Sequence, residues 1–309
     1  MTDMTEQKTS PYIGRFAPTP SGPLHFGSLV AALGSWLQAK SQQGQWLVRI
    51  EDIDPPREAV GAAGVILQTL EDFGLHWDGS VSYQSQNQQR YLNRLQQLAA
   101  KDLLYLCQCT RKQLSGQHPY PGYCRERICR NPQQQTLALD SKQSTACSLR
   151  MCVSQQKIEF NDAVQGHQVW DGAQLGDFII RRKDLLWSYQ LAVVSDDIAE
   201  GITEVVRGLD LLDSTPWQIH LYQQLEVAAP KWAHLPLVLG NDGKKLSKQN
   251  LAPAINSQQR CQLLIKALQF LGQNPDKEIC REGSVTNILQ WATSHWNIQN
   301  IQPESTIIN

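Results

Sequence analysis

The stretch RFAPTPSGPLHFGS, residues 15–28, decides how the rest of the chain is read. It continues a short apolar run, Ile13 to Phe16, that reads as a strand. It then enters Gly27 to Lys40 (GSLVAALGSWLQAK), whose apolar residues recur at helical spacing. Between them, the turn-rich stretch Pro18 to Pro23 forces the chain to reverse. His25 therefore falls at a helix N-terminus, where unpaired N–H groups and the helix dipole attract phosphate. The glycine spacing fits neither the P-loop nor the dinucleotide fingerprint. On these residues alone, a proline-rich connection carrying a solvated histidine stands beside the phosphate-site reading.

Working outward, Trp46 to Ile50 (WLVRI) fits a second buried strand that runs into the acidic turn Glu51, Asp52 and Asp54, closed by Pro55 and Pro56. A β-α-β start of a parallel sheet follows. Helices are predicted over Gly61 to Phe73 and Gln86 to Lys101, around a turn at Asp78 and Gly79. The pattern changes from Leu104 to Arg130, where Cys107, Cys109, Cys124 and Cys129 gather among Pro, Gly and Tyr. Leu149 to Phe178 then alternates as short strands do, so an inserted domain is expected. Beyond it the first architecture resumes. Leu191 to Ser195 (LAVVS) is predicted as a buried parallel strand, Val205 to Gly208 as another and Thr215 to Leu225 as a helix. Leu235 to Leu239 is read as a strand leading into the basic turn Gly243 to Lys248, with helices at Gln258 to Leu271 and Val285 to Ser294. The expected division is a polar tail 1–12, the first half of an α/β domain 13–101, an inserted domain 102–186, the second half 187–248 and a helical region 249–309.

The 309 residues, 41% hydrophobic, exclude a disordered, collagenous or disulfide-scaffold protein. With 28 Lys+Arg against 29 Asp+Glu, a nucleic-acid partner has to be held by a local basic patch. The polar N-terminus lacks the apolar core of a signal peptide, and no stretch approaches a membrane span, so a cytoplasmic protein with no membrane partner is expected. Its thiols should be reduced: the scattered cysteines read as buried apolar residues and the cluster as a metal site. Three converging thiolates from Cys107, Cys109 and Cys124 favour zinc. His118, Tyr123 and Cys129 are candidates for a fourth ligand, and a metal-free cluster of reduced thiols stays open. In the basic turn, Lys244, Lys245 and Lys248 can follow negative charge developing on a transferring phosphoryl or nucleotidyl group.

Together these residues resemble the class I aminoacyl-tRNA synthetases. Leu24-His25-Phe26-Gly27-Ser28 looks like the HIGH signature and Lys245-Leu-Ser-Lys248-Gln249 like the KMSKS signature. RFAPTPSGPLHFGSL from Arg15, VRIEDIDPPR from Val48, LAVVSDDIAEGITEVVRGLDLLDSTPWQ from Leu191 and HLPLVLGNDGKKLSK from His234 all resemble the glutamyl branch. Ser28 stands in place of the second signature histidine and Leu246 in place of the methionine, which leaves the imidazole and the lysines intact. Cys107, Cys109, Tyr120 and Cys124, with LHFGSL and IEDIDPPR, are similar to the truncated glutamyl-queuosine tRNA(Asp) synthetase family.

The resemblance implies a Rossmann-like class I synthetase catalytic domain with an inserted zinc-containing α+β domain, a short C-terminal helical region and no anticodon-binding domain, since too few residues follow Lys248 for one. It implies catalytic roles for His25, Lys245 and Lys248, with His25, Gly27, Ser28 and Lys248 binding ATP and its Mg²⁺. L-glutamate would be held by Arg15, Ala17, Thr19, Glu51, Tyr189 and Arg207. Glu51 meets the ammonium, and arginine forks meet the side-chain carboxylate, which glutamine lacks. One structural Zn²⁺ per chain would sit on Cys107, Cys109, Tyr120 and Cys124. The implied partner is tRNA(Asp) carrying queuosine, which accepts the activated glutamate on that base. Arg125, Arg127, Arg130 and Arg181 to Lys183 are candidates for RNA contact. Charging of a tRNA 3′ end, a catalytically silent tRNA-binding protein and an adenylating enzyme with a non-RNA acceptor are the competing readings. Nothing in the sequence implies an oligomer.

Overall fold

The computed structural model describes residues 11–130, 147–240, 243, 245, 253–304 and 306–307. Strand β1 (Ile13–Phe16) is linked through helix α1 (Phe26–Ser41) to β2 (Gln45–Ile50), and the two strands pair in parallel with Arg15 opposite Leu47. Helix α2 (Ala62–Asp72) leads to β3 (Ser82–Tyr83), which adds in parallel to β2, and α3 (Gln88–Ala99) follows. The β-α-β start and the first two helices thus form where the sequence places them.

The next segment holds β4 (Leu104–Cys107), α4 (Tyr123–Arg130), β5 (Ser148–Met151), β6 (Lys157–Asp162), β7 (Gly166–Asp171), the short α5 (Gly172–Leu175) and β8 (Phe178–Arg181). Strands β4, β5 and β8 form an antiparallel sheet, while β6 and β7 form a hairpin. Then come α6 (Tyr189–Glu200), β9 (Glu204–Gly208), α7 (Thr215–Gln224), β10 (Lys231–Leu235) and β11 (Val238–Leu239). Helices α8 (Arg260–Phe270), α9 (Lys277–Glu282) and α10 (Val285–His295) and strand β12 (Thr306–Ile307) complete the chain. Strands β9 and β10 are parallel, and β6 joins β10 with Asp162 opposite Trp232, giving the order β7-β6-β10-β9. Strand β1 lies beside β9, where the Thr203 N–H just ahead of β9 donates to the Ile13 carbonyl at 2.9 Å.

Both faces of β9 are covered. On β9, Val206 faces the cluster built by α1, α8 and α10, and its neighbour Val205 faces the cluster built by α3, α6 and α7. Such burial on two sides is why Val205 and Val206, neighbours that face opposite ways, are both apolar.

Two expectations are corrected. Leu191 to Ser195 is not a strand but the heart of α6, whose residues from Leu191 to Asp197 are all buried. A helix enclosed on every side is apolar all round, and a short apolar run cannot be told from a buried strand by periodicity. The decisive signals flank it: Ser188 caps the helix by accepting from the Leu191 N–H, and Gly201 ends it at φ 69°, a left-handed conformation that glycine adopts without steric cost. Leu235 to Leu239 is likewise not one strand. The ladder of β10 ends at Leu235, Pro236 brings no N–H to extend it, and Val238–Leu239 pairs instead with Thr306–Ile307. No helix among the described residues is long and apolar enough to cross a membrane.

Candidate active site and thiol cluster

The loop after β1 brings His25 to the N-cap of α1, where its Nδ1 accepts the Ser28 N–H at 3.2 Å. An accepting Nδ1 places the proton of the neutral imidazole on Nε2. The first turn of α1 holds no acidic side chain, so the positive end of its dipole is uncompensated there. His25, Gly27 and Ser28 line a cavity of about 670 Å³ together with Thr19, Arg57 and Lys245. Across it, Lys245 Nζ meets Asp210 Oδ2 at 2.5 Å. Beyond the basic turn the chain returns to this loop: Ala254 bridges His25, and the Ile255 N–H donates to the Leu24 carbonyl at 3.0 Å. Lys244 and Lys248 lie outside the described residues.

A second cavity of about 320 Å³ shares Thr19 and Arg57 with the first and is lined by Glu51, Tyr189, Trp187 and Arg182. Glu51, just past β2, is fixed against the β1 loop by its N–H, which donates to the Pro18 carbonyl at 3.0 Å. Burial pushes its carboxyl up to about 7, against the pull of Arg49 and Arg15 and with the help of Asp197 and Asp196. Its Oε1 is buried and has no hydrogen-bond partner among the described residues. Tyr189, the first residue of α6, is a phenol pushed up by burial and then by Glu51, and pulled down by Arg207 and Arg15. Arg207, on β9, reaches the Tyr189 Oη at 3.5 Å. Thr19, Glu51 and Tyr189 line this second cavity, Arg207 lies behind it against the Tyr189 hydroxyl and the charge of Arg15 is felt at both Glu51 and Tyr189, whereas Arg15, Arg207 and Ala17 are not among the lining residues of either cavity.

Several groups that shape this region went unread in the sequence. Asp197 on α6 accepts from Arg15 Nε at 3.1 Å and from Arg49 Nη2 at 2.6 Å, and Arg49 Nη1 meets Glu200 at 2.5 Å. The Arg15 fork is thereby held in one plane on a buried carboxylate. Arg207 differs. It donates to His234 Nε2 at 3.0 Å, to Thr215 Oγ1 at 2.8 Å and to the Leu211 carbonyl at 3.3 Å, and no carboxylate pairs with it among the described residues. Burial, then the charge of Arg15, work against that guanidinium, although Tyr189, Asp197 and Glu51 pull the other way. Arg57, which touches both cavities, also escaped the sequence reading. The turn carboxylates do hold structure: Asp52 accepts from the Ser85 backbone and hydroxyl at 2.8 and 2.7 Å, and Asp54 pairs with Arg57 and Arg182.

In the inserted segment the sulfurs of Cys107, Cys109 and Cys124 all lie within 4.8 Å of one another. The Tyr120 hydroxyl sits 3.5 Å from Cys107 Sγ and 3.6 Å from Cys109 Sγ, and it accepts the Cys124 N–H at 3.0 Å. The Arg150 guanidinium covers the Tyr120 ring at 3.8 Å. Tyr123 points outward, half exposed, and the Cys129 side chain lies outside the described residues. Burial lifts the Cys109 thiol to about 11. At Cys124 burial also acts upward, but the Gln108 N–H, Tyr120 and the other two thiols outweigh it and bring the group to about 7. Of the expected RNA-binding cations, Arg125 is spent on the buried Asp177 at 2.9 Å. Arg181 covers the Trp187 ring, Arg182 pairs with Asp184 and Asp54, and Lys183 donates to the Gln108 carbonyl at 3.3 Å. Arg127 reaches Gln108 Oε1, and the Arg130 side chain is not described.

The class is set by the family model for the catalytic domain of class I tRNA synthetases (E and Q), which matches residues 13–303. A solved glutamate tRNA ligase from Elizabethkingia meningosepticum has the same fold, with a TM-score of 0.78 at 22% identity over 97% of this chain and 67% of that one. Among curated proteins, the glutamyl-Q tRNA(Asp) synthetase of Pectobacterium atrosepticum is 50% identical over 97% of this chain and 89% of its own length. That of Photobacterium profundum is 49% identical over 96% and 92%. The chain belongs to the glutamyl-Q tRNA(Asp) synthetase family of class I synthetases.

Proposed function

We propose that the protein activates L-glutamate with ATP and transfers it to the queuosine base in the anticodon of tRNA(Asp). One observation carries the amino-acid assignment: the same region holds a buried cation and a buried anion that each lack an opposite charge of their own. Arg207 is hydrogen-bonded by neutral groups only, and Glu51 Oε1 has no partner among the described residues. A buried charge left this way is costly, and the ligand that relieves both is a zwitterion with an additional carboxylate. Its ammonium meets Glu51, and its side-chain carboxylate meets Arg207, Arg15 and the Tyr189 hydroxyl.

ATP with its Mg²⁺ fills the larger cavity, its phosphates facing the first turn of α1 and the Nε2–H of His25. The glutamate α-carboxylate attacks the α-phosphorus, and pyrophosphate leaves with its charge met by Lys245 and Lys248. Catalysis is positioning and electrostatics, with no covalent enzyme intermediate. A hydroxyl of the acceptor nucleoside then attacks the mixed anhydride and releases AMP. The acceptor assignment rests on the names of the relatives that share half of this sequence.

The thiol cluster suits Zn²⁺. A tetrahedral zinc with thiolate bonds of about 2.3 Å sets its sulfurs about 3.8 Å apart, close to the 3.6 Å between Cys109 and Cys124. Cys107, Cys109, Cys124 and Tyr120 would hold it, a closed set that braces the inserted segment and takes no part in chemistry.

The assay is glutamate-dependent exchange of pyrophosphate into ATP without tRNA. Lys248→Ala should lower the exchange rate by about 10² while leaving the fold intact, the scale of losing a preorganised charge donor. An absence of glutamate-dependent exchange in the parent protein would overturn the activation step; near-normal exchange in the variant would remove Lys248 from it.

A further inference from the structure

We infer that Asp162 and His234 form a positioning pair that holds the Arg207 guanidinium in the orientation that reads the glutamate side chain. This rests on the glutamate-pocket assignment above. Both side chains are wholly buried, and Asp162 Oδ2 lies 2.6 Å from His234 Nδ1. On the other side of the ring, His234 Nε2 accepts from Arg207 Nε at 3.0 Å. An arginine N–H is only a donor, so Nε2 is the bare nitrogen and Nδ1 carries the proton, which it donates to Asp162. The imidazole is thus a neutral relay with one fixed tautomer. A carboxylate on one side dictates that an acceptor faces the guanidinium on the other.

This relay takes up the Nε position of Arg207 and leaves its plane fixed, with Nη1 directed toward Tyr189 and Nη2 toward Thr215. The Trp232 ring lies 5.0 Å from the Arg207 guanidinium carbon and stacks on the His234 ring at 6.3 Å, closing the remaining face. The anchor comes from the inserted segment. Asp162 ends β6, accepts the His234 N–H at 3.0 Å as well, and is held by the Val164 and Gln165 N–H groups at 3.0 and 2.9 Å. Gln165 Nε2 donates to the His234 carbonyl at 2.8 Å. The β6–β7 hairpin therefore sets the geometry of the residue that distinguishes a carboxylate from an amide, although no atom of the hairpin needs to touch the substrate.

Two isosteres separate this role from simple packing. His234→Gln can present an acceptor where Nε2 stood; His234→Asn keeps the donor toward Asp162 but leaves Arg207 Nε without its partner. In glutamate-dependent pyrophosphate exchange, His234→Asn should raise the glutamate KM about tenfold with the ATP KM unchanged, and His234→Gln should stay within about threefold of the parent. Equal losses in the two variants, or glutamate and ATP KM rising in parallel with a drop in Tm, would make the pair a core contact and overturn the inference. Arg207→Ala is the reference: a glutamate KM that it leaves unchanged would instead refute the pocket assignment on which the inference rests.

Discussion

His25 carries two duties that its two nitrogens divide. Nδ1 caps α1, and Nε2 is left as the donor, so stability and chemistry can be tested apart. His25→Ala should lose the cap, about 1 kcal/mol, as well as the phosphate contact, whereas His25→Asn keeps a capping acceptor and should unfold near the parental Tm. Both should lower pyrophosphate exchange by about 10²; normal exchange in the asparagine variant would show that the imidazole serves the helix alone. Glu51 gives a pH signature. Its carboxyl, raised by burial to about 7, is neutral in the free protein below that value and cannot pair with an ammonium. The kcat/KM for glutamate should therefore fall as pH drops through about 7, and Glu51→Gln should be low and lack that limb. The linked stability has the opposite sense: the folded chain holds a proton that the unfolded chain loses at the ordinary carboxylate value. The contribution is therefore complete below that value and disappears as pH rises toward 7. A parent profile flat between pH 5 and 8 would contradict this assignment.

At the scale of elements, what could be read from the sequence was what neighbours in sequence decide. The β1 loop and α1, the acidic turn after β2 and the three-cysteine cluster each declare themselves within about thirty residues. Helix α6 did not, because its burial erased the periodicity that marks a helix, and only Ser188 and Gly201 at its ends betrayed it. The partners of the buried charges were equally hidden. Asp197 meets Arg15 and Arg49 across more than 140 positions by the packing of α6 on the sheet, and Asp162 meets His234 across 72 through the pairing of β6 with β10, neither of which a local pattern encodes. The Asp196–Asp197 pair after an apolar run was the one available hint. The cluster itself yields a test at this scale. With the Cys109 thiol lifted to about 11 by burial, its ionisation near neutrality needs a cation to draw off the proton, so metal binding should be proton-linked. Protein purified without chelator should contain about one zinc per chain, and Cys109→Ser should lose it and speed hydrogen exchange in β4 and α4 while β1 and α1 stay protected. A zinc-free protein that is stable and active would defeat the metal assignment.

Across the whole molecule, the two cavities meet at Thr19 and Arg57, one lined by the N-terminus of α1 and the other by Glu51 just past β2 and Tyr189 at the start of α6. That adjacency places an amino acid beside a nucleotide, as adenylate formation requires. The acceptor must then approach from the open side, and a single-stranded loop whose base is splayed outward can do so more readily than a stacked duplex. Queuosine adds a cyclopentene diol to such a base, so one of its hydroxyls can attack the adenylate as a ribose hydroxyl would. The most direct measurement is transfer of labelled glutamate to tRNA(Asp) in three forms: with queuosine, with guanosine at the same position, and with queuosine but without the 3′-terminal adenosine. Transfer is expected to the first and third and none to the second. Equal charging of the guanosine form, or loss of charging once the terminal adenosine is removed, would contradict it.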